Sequence, residues 1–573
     1  MPKLPLSHHI EPWRDRRREI YILDEPVRHL IPFLEEVAMK SLRNERVSNE
    51  AKRLGYDFIR IRLALLKAMR LEILETGGFT TRMILAAIKH IEWLIEADAF
   101  KALSQREAEE LVLQALDWGR RVFLHMPMLG WTFMSIVLKC LGCLRNWTED
   151  VLLYASVFAA QAATCLKMFS GFPDLEEKLR GLEGLLERIE ASSKMPSTSL
   201  AYVTWAWAEI AFAWDRLAFG AEKANEAINR AVNLLRSLEG LTRDLALISA
   251  ACSLCEYLLE HGKIDEAIRW LSEAREALKK LERELKEPRI SGILAKYLRP
   301  YGLFLKKQLK RLIISRSSGL AFLEGRLRLD KCEFMAAIDA FRQAWIDARR
   351  LKLEENALIA WSWYVRTQII RDGLETKPED LEGRRLPWQE HFTLIWTKAE
   401  KLWNVGLLTS ETYTLCYMEF CLADLLKTGL YHHLNLKPLE KAPSPPRYQP
   451  LFLGTYYCLC KIAWKSDVPE DLSRLIDWLL RRWETELLAR EKYGMFVHSA
   501  HYLSSILLAL SEDDLERAAL LAYSTSLVLQ APLPKRLFSE LSDALRTFQA
   551  NTSDEKARER LVEALVKLFY YHI

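Results

Sequence analysis

Glycine and proline are both scarce in this chain, at 22 and 20 of 573 residues. So few turn-forming residues over such a length exclude a fold of many short strands, each needing its own punctuation, and favour long helices. Asparagine and glutamine together number only 20. Depletion of these heat-labile amides, beside abundant Arg, Glu and Lys, points to a thermophile's protein. No run approaches the roughly 18 apolar residues that a membrane-spanning helix needs. The opening residues "MPKLPLSHHIEPWRDRRREIY" lack the apolar centre of a secretory signal. A large excess of one charge is missing too: 81 basic and 77 acidic side chains leave a net of +4. As a bulk figure that calls for neither nucleic acid nor membrane. The 10 cysteines are scattered through a large chain, which argues against a small disulfide scaffold and makes a reducing, cytoplasmic setting the default, with intracellular disulfides left open for a thermophile's protein.

What is present is apolar and helical. Half of the residues are hydrophobic and 28% are charged, ample for folded cores. The length implies several domains or one long repeat array. "LAKYLRPYGLFLKKQLKRLII", "DEAIRWLSEAREALKKLERELKE" and "RLIDWLLRRWETELLAREKYG" place apolar residues three and four apart, the helical period, and no clean two-residue alternation competes with it. The expected fold class is therefore all-α. Polar, proline-bearing breaks at 190–200, 371–390 and 435–450 divide the chain into an N-terminal helical region (1–192), a middle array (193–375) and a C-terminal helical region (376–573). The last break, "NLKPLEKAPSPPRYQP", has five prolines and reads as a loop between helices, with an extended proline ligand as the alternative.

Residues 250–278, "AACSLCEYLLEHGKIDEAIRWLSEAREAL", carry a pattern of Leu254, Leu258, Gly262, Ile264, Ala267, Leu271 and Ala274. Gly262 ends one helix, small Ala267 lets a second approach it, and Leu271 and Ala274 continue the buried stripe. This stretch resembles a tetratricopeptide repeat, a pair of antiparallel helices. Gly325, Phe334, Ala337, Phe341 and Ala344 repeat part of the pattern, with Cys332 where the first copy has glycine. Ala227 and Ile228, and further on Ala518 and Ala522, are fainter traces. Ala227 and Ala267 are 40 residues apart, against about 34 in a strict repeat, so the resemblance implies an irregular helical-hairpin solenoid. Such folds commonly bind a protein partner on a concave surface.

Chemical motifs are sparse. There is no GxxxxGK[ST], GxGxxG, HExxH or GxSxG, and nothing calls for a cofactor or a small-molecule substrate. CxxC pairs occur at Cys140/Cys143 and Cys252/Cys255, but they lie far apart inside apolar helical text. Core packing is favoured over a metal site, as it is for Cys416/Cys421 and Cys458/Cys460. The His8–His9 and His432–His433 pairs lack acidic or cysteine neighbours and read as loop residues. "RRVFLH" holds Arg120 and His125 with four residues between them, which resembles the R-x4-H signature of HEPN-type helical ribonucleases. There the arginine stabilises phosphorane charge and the histidine handles a proton. The alternative is an exposed Arg120 and a packing or capping His125.

The sharpest electrostatic feature is residues 289–328, with ten basic residues and one acid, Glu324. Its candidate binding residues are Lys296, Arg299, Lys306, Lys307, Lys310, Arg311, Arg316, Arg326 and Arg328, with Tyr297, Tyr301 and Phe304 interleaved. A helix is expected from about Leu303 to Ser315, with Lys306 and Lys310 on one face and Lys307 and Arg311 on the next. Such a surface docks an acidic protein partner, grips nucleic acid by its phosphates and bases, or is neutralised by acids elsewhere in the chain. Aromatic "YVTWAWAEIAFAWDRLAF" at 202–219 spaces Trp205 and Phe212 seven apart, and likewise Trp207 and Trp214, which predicts an inner helix apolar on two faces. The expected function is a non-catalytic scaffold or adaptor for a protein partner. A nucleic-acid-associated subunit and a helical ribonuclease are the alternatives.

Overall fold

A computed structural model describes residues 49–76, 81–101, 103–125, 127–144, 146–168, 175–215, 220–261, 263–301, 304–375, 388–405, 408, 410–428 and 532–572. The proline-rich stretch at 435–450, both histidine pairs, Cys458/Cys460, Gly262 and the trace around Ala518 and Ala522 lie outside these residues. Among the described residues there are 18 α-helices and no strand, so the fold is all-α as the periodicity dictates. No described helix is long and apolar enough to cross a membrane.

The chain divides into two compact units, 1–154 and 155–573. The first holds α1 (Asn49–Thr76), α2 (Thr81–Glu96), α3 (Gln105–His125) and α4 (Pro127–Gly142). The boundary falls within α5 (Glu149–Met168).

The second unit continues with α6 (Leu175–Glu190), α7 (Ser197–Asp215), α8 (Ala221–Ser237), α9 (Gly240–Glu260) and α10 (Ile264–Lys286). A short α11 (Gly292–Leu298) precedes the long α12 (Leu305–Asp330) and α13 (Phe334–Arg350). Then come α14 (Glu354–Glu375), α15 (Trp388–Asn404), α16 (Ser410–Thr428), α17 (Pro532–Ala550) and α18 (Glu555–His572). Consecutive helices pack pairwise: α7 on α8, α9 on α10, α12 on α13, α15 on α16 and α17 on α18. The α17–α18 pair also returns onto α12 and α14, closing one apolar core over Leu329, Phe341, Phe392, Leu541 and Leu565.

Helix α7 is buried on every side from Ala201 to Asp215 because α6, α8, α9 and α11 all pack on it. Its indole N–H groups must then find acceptors without water. Trp205 donates to Glu209 at 2.8 Å, Trp214 to Glu183 at 2.8 Å, and Trp207 to Glu190. The aromatic stretch is thus an inner helix pinned by carboxylates.

Three turns share one hydrogen bond. The backbone N–H of Lys263 donates to Leu258 O (2.8 Å), that of Glu333 to Arg328 O (2.9 Å), and that of Leu353 to Ala348 O (3.0 Å). In the second and third turns the residue just before the donor is left-handed, as this six-to-one closure of a helix requires. Cys332 has φ 62° and Lys352 has φ 58°. The replacement of glycine by Cys332 leaves the turn intact, with a side chain in the conformation that glycine adopts without strain.

Helix α12 runs past the expected end at Ser315 to Asp330, straight through "SRSSG". Locally those residues read as a stop. In the fold they are contact points: Ser318 Oγ donates to Ala344 O at 2.9 Å and Ser317 Oγ to Asp347 at 3.1 Å. At Gly325 a Cβ would stand 2.7 Å from the Phe341 ring, so only glycine allows this approach of α12 to α13. Ala267, Ala337 and Ala344 are buried, as expected of small residues at helix crossings.

Candidate binding cleft

Residues 287–301, between α10 and α12, form an insertion fastened to the helices beneath it. Ser291 caps α11, its Oγ accepting from Leu294 N–H at 3.4 Å. Tyr297 is buried, its ring stacked on Tyr202 at 4.5 Å and its hydroxyl 2.8 Å from Ser249 Oγ. The Tyr202 hydroxyl donates to Tyr297 O at 2.7 Å. Tyr301 is half-buried, tilted against Tyr202 at 6.4 Å. Two of the three interleaved aromatics are therefore anchors. Only Phe304 faces outward, 59% exposed at the start of α12.

The nine candidate cations separate into two groups. Arg316 lies over the Trp205 ring at 4.6 Å and Arg326 over Trp363 at 4.4 Å. Arg328 pairs with Glu324 at 3.5 Å and with Glu333. The lone acid Glu324 is shared with Arg275 from α10. Lys296 is half-buried on α11, and Arg299 is exposed at its end. Lys306, Lys307, Lys310 and Arg311 are exposed on the first two turns of α12. Lys306 Nζ donates to the backbone O of Glu287 at 2.7 Å, a contact that leaves its charge uncancelled. Lys307, Lys310 and Arg311, together with exposed Arg289 across the cleft, make no ion pair among the described residues. Arg289 is the member that the residue-by-residue reading missed. Its signal was its place at the head of the basic stretch.

An open cleft of about 660 Å³ has Pro288, Ile290, Phe304 and Leu305 as its apolar wall and is also lined by Arg289, Lys306 and Lys307; Lys310 and Arg311 stand one turn further along α12. The arrangement is electrostatically adverse when empty of anions. No acid stands in the first turn of α12, so Lys306 and Lys307 face the positive end of its dipole. Lys306 and Lys310, and Lys307 and Arg311, are like charges one turn apart. A bound anion relieves all three repulsions.

Arg120 is placed quite differently. It is 3% exposed on α3, and its Nη2 donates to Asp117 Oδ1 at 2.7 Å. Arg121 (3.3 Å) and Arg70 (3.1 Å) donate to the other oxygen, and Arg70 also donates to the Tyr154 hydroxyl at 2.8 Å. Burial alone lifts the Asp117 carboxyl. The guanidiniums of Arg121, Arg120 and Arg70 outweigh that and hold it well below the usual carboxylate range. The exposed Arg120 of the sequence reading is thus corrected: it belongs to a buried polar cluster. The His125 side chain lies outside the described residues.

Cys140 is buried and Cys143 exposed; Cys255 is buried, its Sγ–H donating to Ala267 O at 3.4 Å, and Cys252 is half-buried. Burial pushes the Cys140 and Cys255 thiols up, away from the reactive thiolate. Among the described residues no three His, Cys, Asp or Glu side chains group as metal ligands. Comparison of the chain with protein-family models, curated proteins and solved structures found no match.

Proposed function

We propose that this protein is a non-catalytic helical scaffold that holds a protein partner, with the basic cleft formed by 288–290 and the head of α12 (304–311) as its docking element. The observation that carries this reading is the set of uncancelled cations at the apolar wall and on the next turn of α12, maintained at an electrostatic cost to that helix. In a tetratricopeptide-like solenoid the first helices of successive pairs line the concave face. Here α11 packs on α7 and α9, the first helices of two successive pairs. The reading therefore moves docking from the concavity to the cleft beside the insertion.

The nucleic-acid alternative loses its stacking surface, because Tyr297 and Tyr301 are turned inward and Phe304 alone is presented. The ribonuclease alternative gains no support from an arginine already engaged with Asp117. The test is purification of the full chain from its native host after nuclease treatment. Parent protein is compared with a variant carrying Lys306→Glu, Lys307→Glu, Lys310→Glu and Arg311→Glu. A nuclease-resistant partner retained by the parent and lost by the variant is expected. Partners held equally by both would end the proposal.

A further inference from the structure

Resting on that reading of the cleft, we infer that the segment it takes is an extended acidic peptide, with carboxylates at alternate positions and one apolar side chain as anchor. Spacing argues for the first part. Lys306 and Lys310 are four residues apart on α12, as are Lys307 and Arg311. At 1.5 Å per residue each pair is offset by about 6 Å along the helix axis. Alternate residues of an extended peptide lie on one side of the strand, about 6.6 Å apart. A peptide laid along the start of α12 with Asp or Glu at every second position thus sets successive carboxylates against the successive cations of a row, one at the level of Lys306 and Lys307 and the next at the level of Lys310 and Arg311. Arg289 stands on the other side of the cleft, where it meets the flanking residues or a carboxylate of opposite phase.

The wall argues for the second part. Pro288, Ile290, Phe304 and Leu305 are apolar, and about 660 Å³ is room for a large aliphatic or aromatic side chain. Such a side chain covers the exposed Phe304 ring and supplies apolar burial, which charge pairing in water does not. A purely acidic segment leaves that wall wet. A nucleic acid offers phosphates at suitable intervals but no aliphatic group for Ile290 and Leu305. The two kinds of contact together select an acidic peptide with an anchor.

Panning a random dodecapeptide display library on the immobilised full chain tests this directly. Enriched sequences are expected to alternate Asp or Glu around a Leu, Ile, Phe or Trp. A fluorescent peptide of the enriched sequence should bind with an affinity that falls as salt rises. Binding should weaken about tenfold when its anchor becomes Ser or when Phe304→Ser is made in the protein. It should be lost with the Lys307→Glu, Arg311→Glu pair, while circular dichroism and thermal unfolding show both variants folded. Enrichment without acidic bias, enrichment indifferent to the charge reversals, or a single-stranded RNA dodecamer that outcompetes the best peptide overturns the inference. A native partner lost on charge reversal, with no acidic enrichment, keeps the cleft and removes only this partner chemistry. A native partner indifferent to charge reversal removes the cleft itself.

Discussion

The Tyr571 hydroxyl donates a 2.6 Å hydrogen bond to Oδ1 of Asp330, tying α18 to the end of α12 across 241 residues of chain. Both side chains are buried. Burial raises the Asp330 carboxyl to about 6, against the opposing pull of Arg326 and the Tyr571 bond. A carboxyl raised in the folded state favours folding while protonated. That contribution is complete below its ordinary value near 4 and is lost as pH rises through about 6. Asp330→Asn keeps an acceptor for Tyr571 and removes the titration. In urea unfolding, the variant's stability relative to the parent should rise between pH 4 and pH 7.5 by on the order of 2–3 kcal/mol. A relative stability that stays flat across that interval would show that Asp330 is not held protonated.

Gly325 should not tolerate even a methyl group. Its Cβ would meet the Phe341 ring at 2.7 Å inside a closed core, so Gly325→Ala is expected to cost about 1–3 kcal/mol. In a Phe341→Leu background the same change should cost measurably less, since the flat ring is what the methyl strikes. Equal costs in the two backgrounds, measured by denaturant unfolding, would place the strain elsewhere.

The α13–α14 turn offers a simpler gain. Lys352 is exposed and left-handed, with φ 58°. Lys352→Gly relieves the Cβ strain at the expense of some unfolded-state entropy, for a net stabilisation of about 0.5–1 kcal/mol. The thermal midpoint should rise, with the helical circular dichroism unchanged. A lower midpoint would mean the lysine side chain holds the turn.

Stability and binding should oppose each other at the head of α12. Lys307→Gln with Arg311→Gln removes a like-charge pair and a cation from the positive helix end. Stability should increase by about 0.5–1 kcal/mol at low salt, and the gain should shrink as salt screens the charges. Partner retention should fall in the same protein. A variant that is less stable at low salt would show that these cations are compensated in solution.

Much of this architecture is local in origin and so legible in the chain. The periods of "DEAIRWLSEAREALKK" and of the aromatic stretch are helical whatever surrounds them, and the alanines at 267, 337 and 344 are small because helices cross there. The site was legible only as a region. Nothing near Arg316 in sequence announces Trp205, and nothing near Arg326 announces Trp363. Tyr297 and Phe304 look equivalent in the sequence, yet one is an anchor and the other an open face.

The sequence by itself determined an all-α protein of long helices, because the apolar period and the scarcity of Gly and Pro act within a turn or two of each residue. Tertiary structure decided that α12 runs through "SRSSG", that Cys332 takes the left-handed turn, that Arg120 is buried on Asp117, and which cations stay uncancelled. Each of those outcomes depends on a partner brought close by packing, and charge pairing, close approach and burial are properties of pairs distant along the chain.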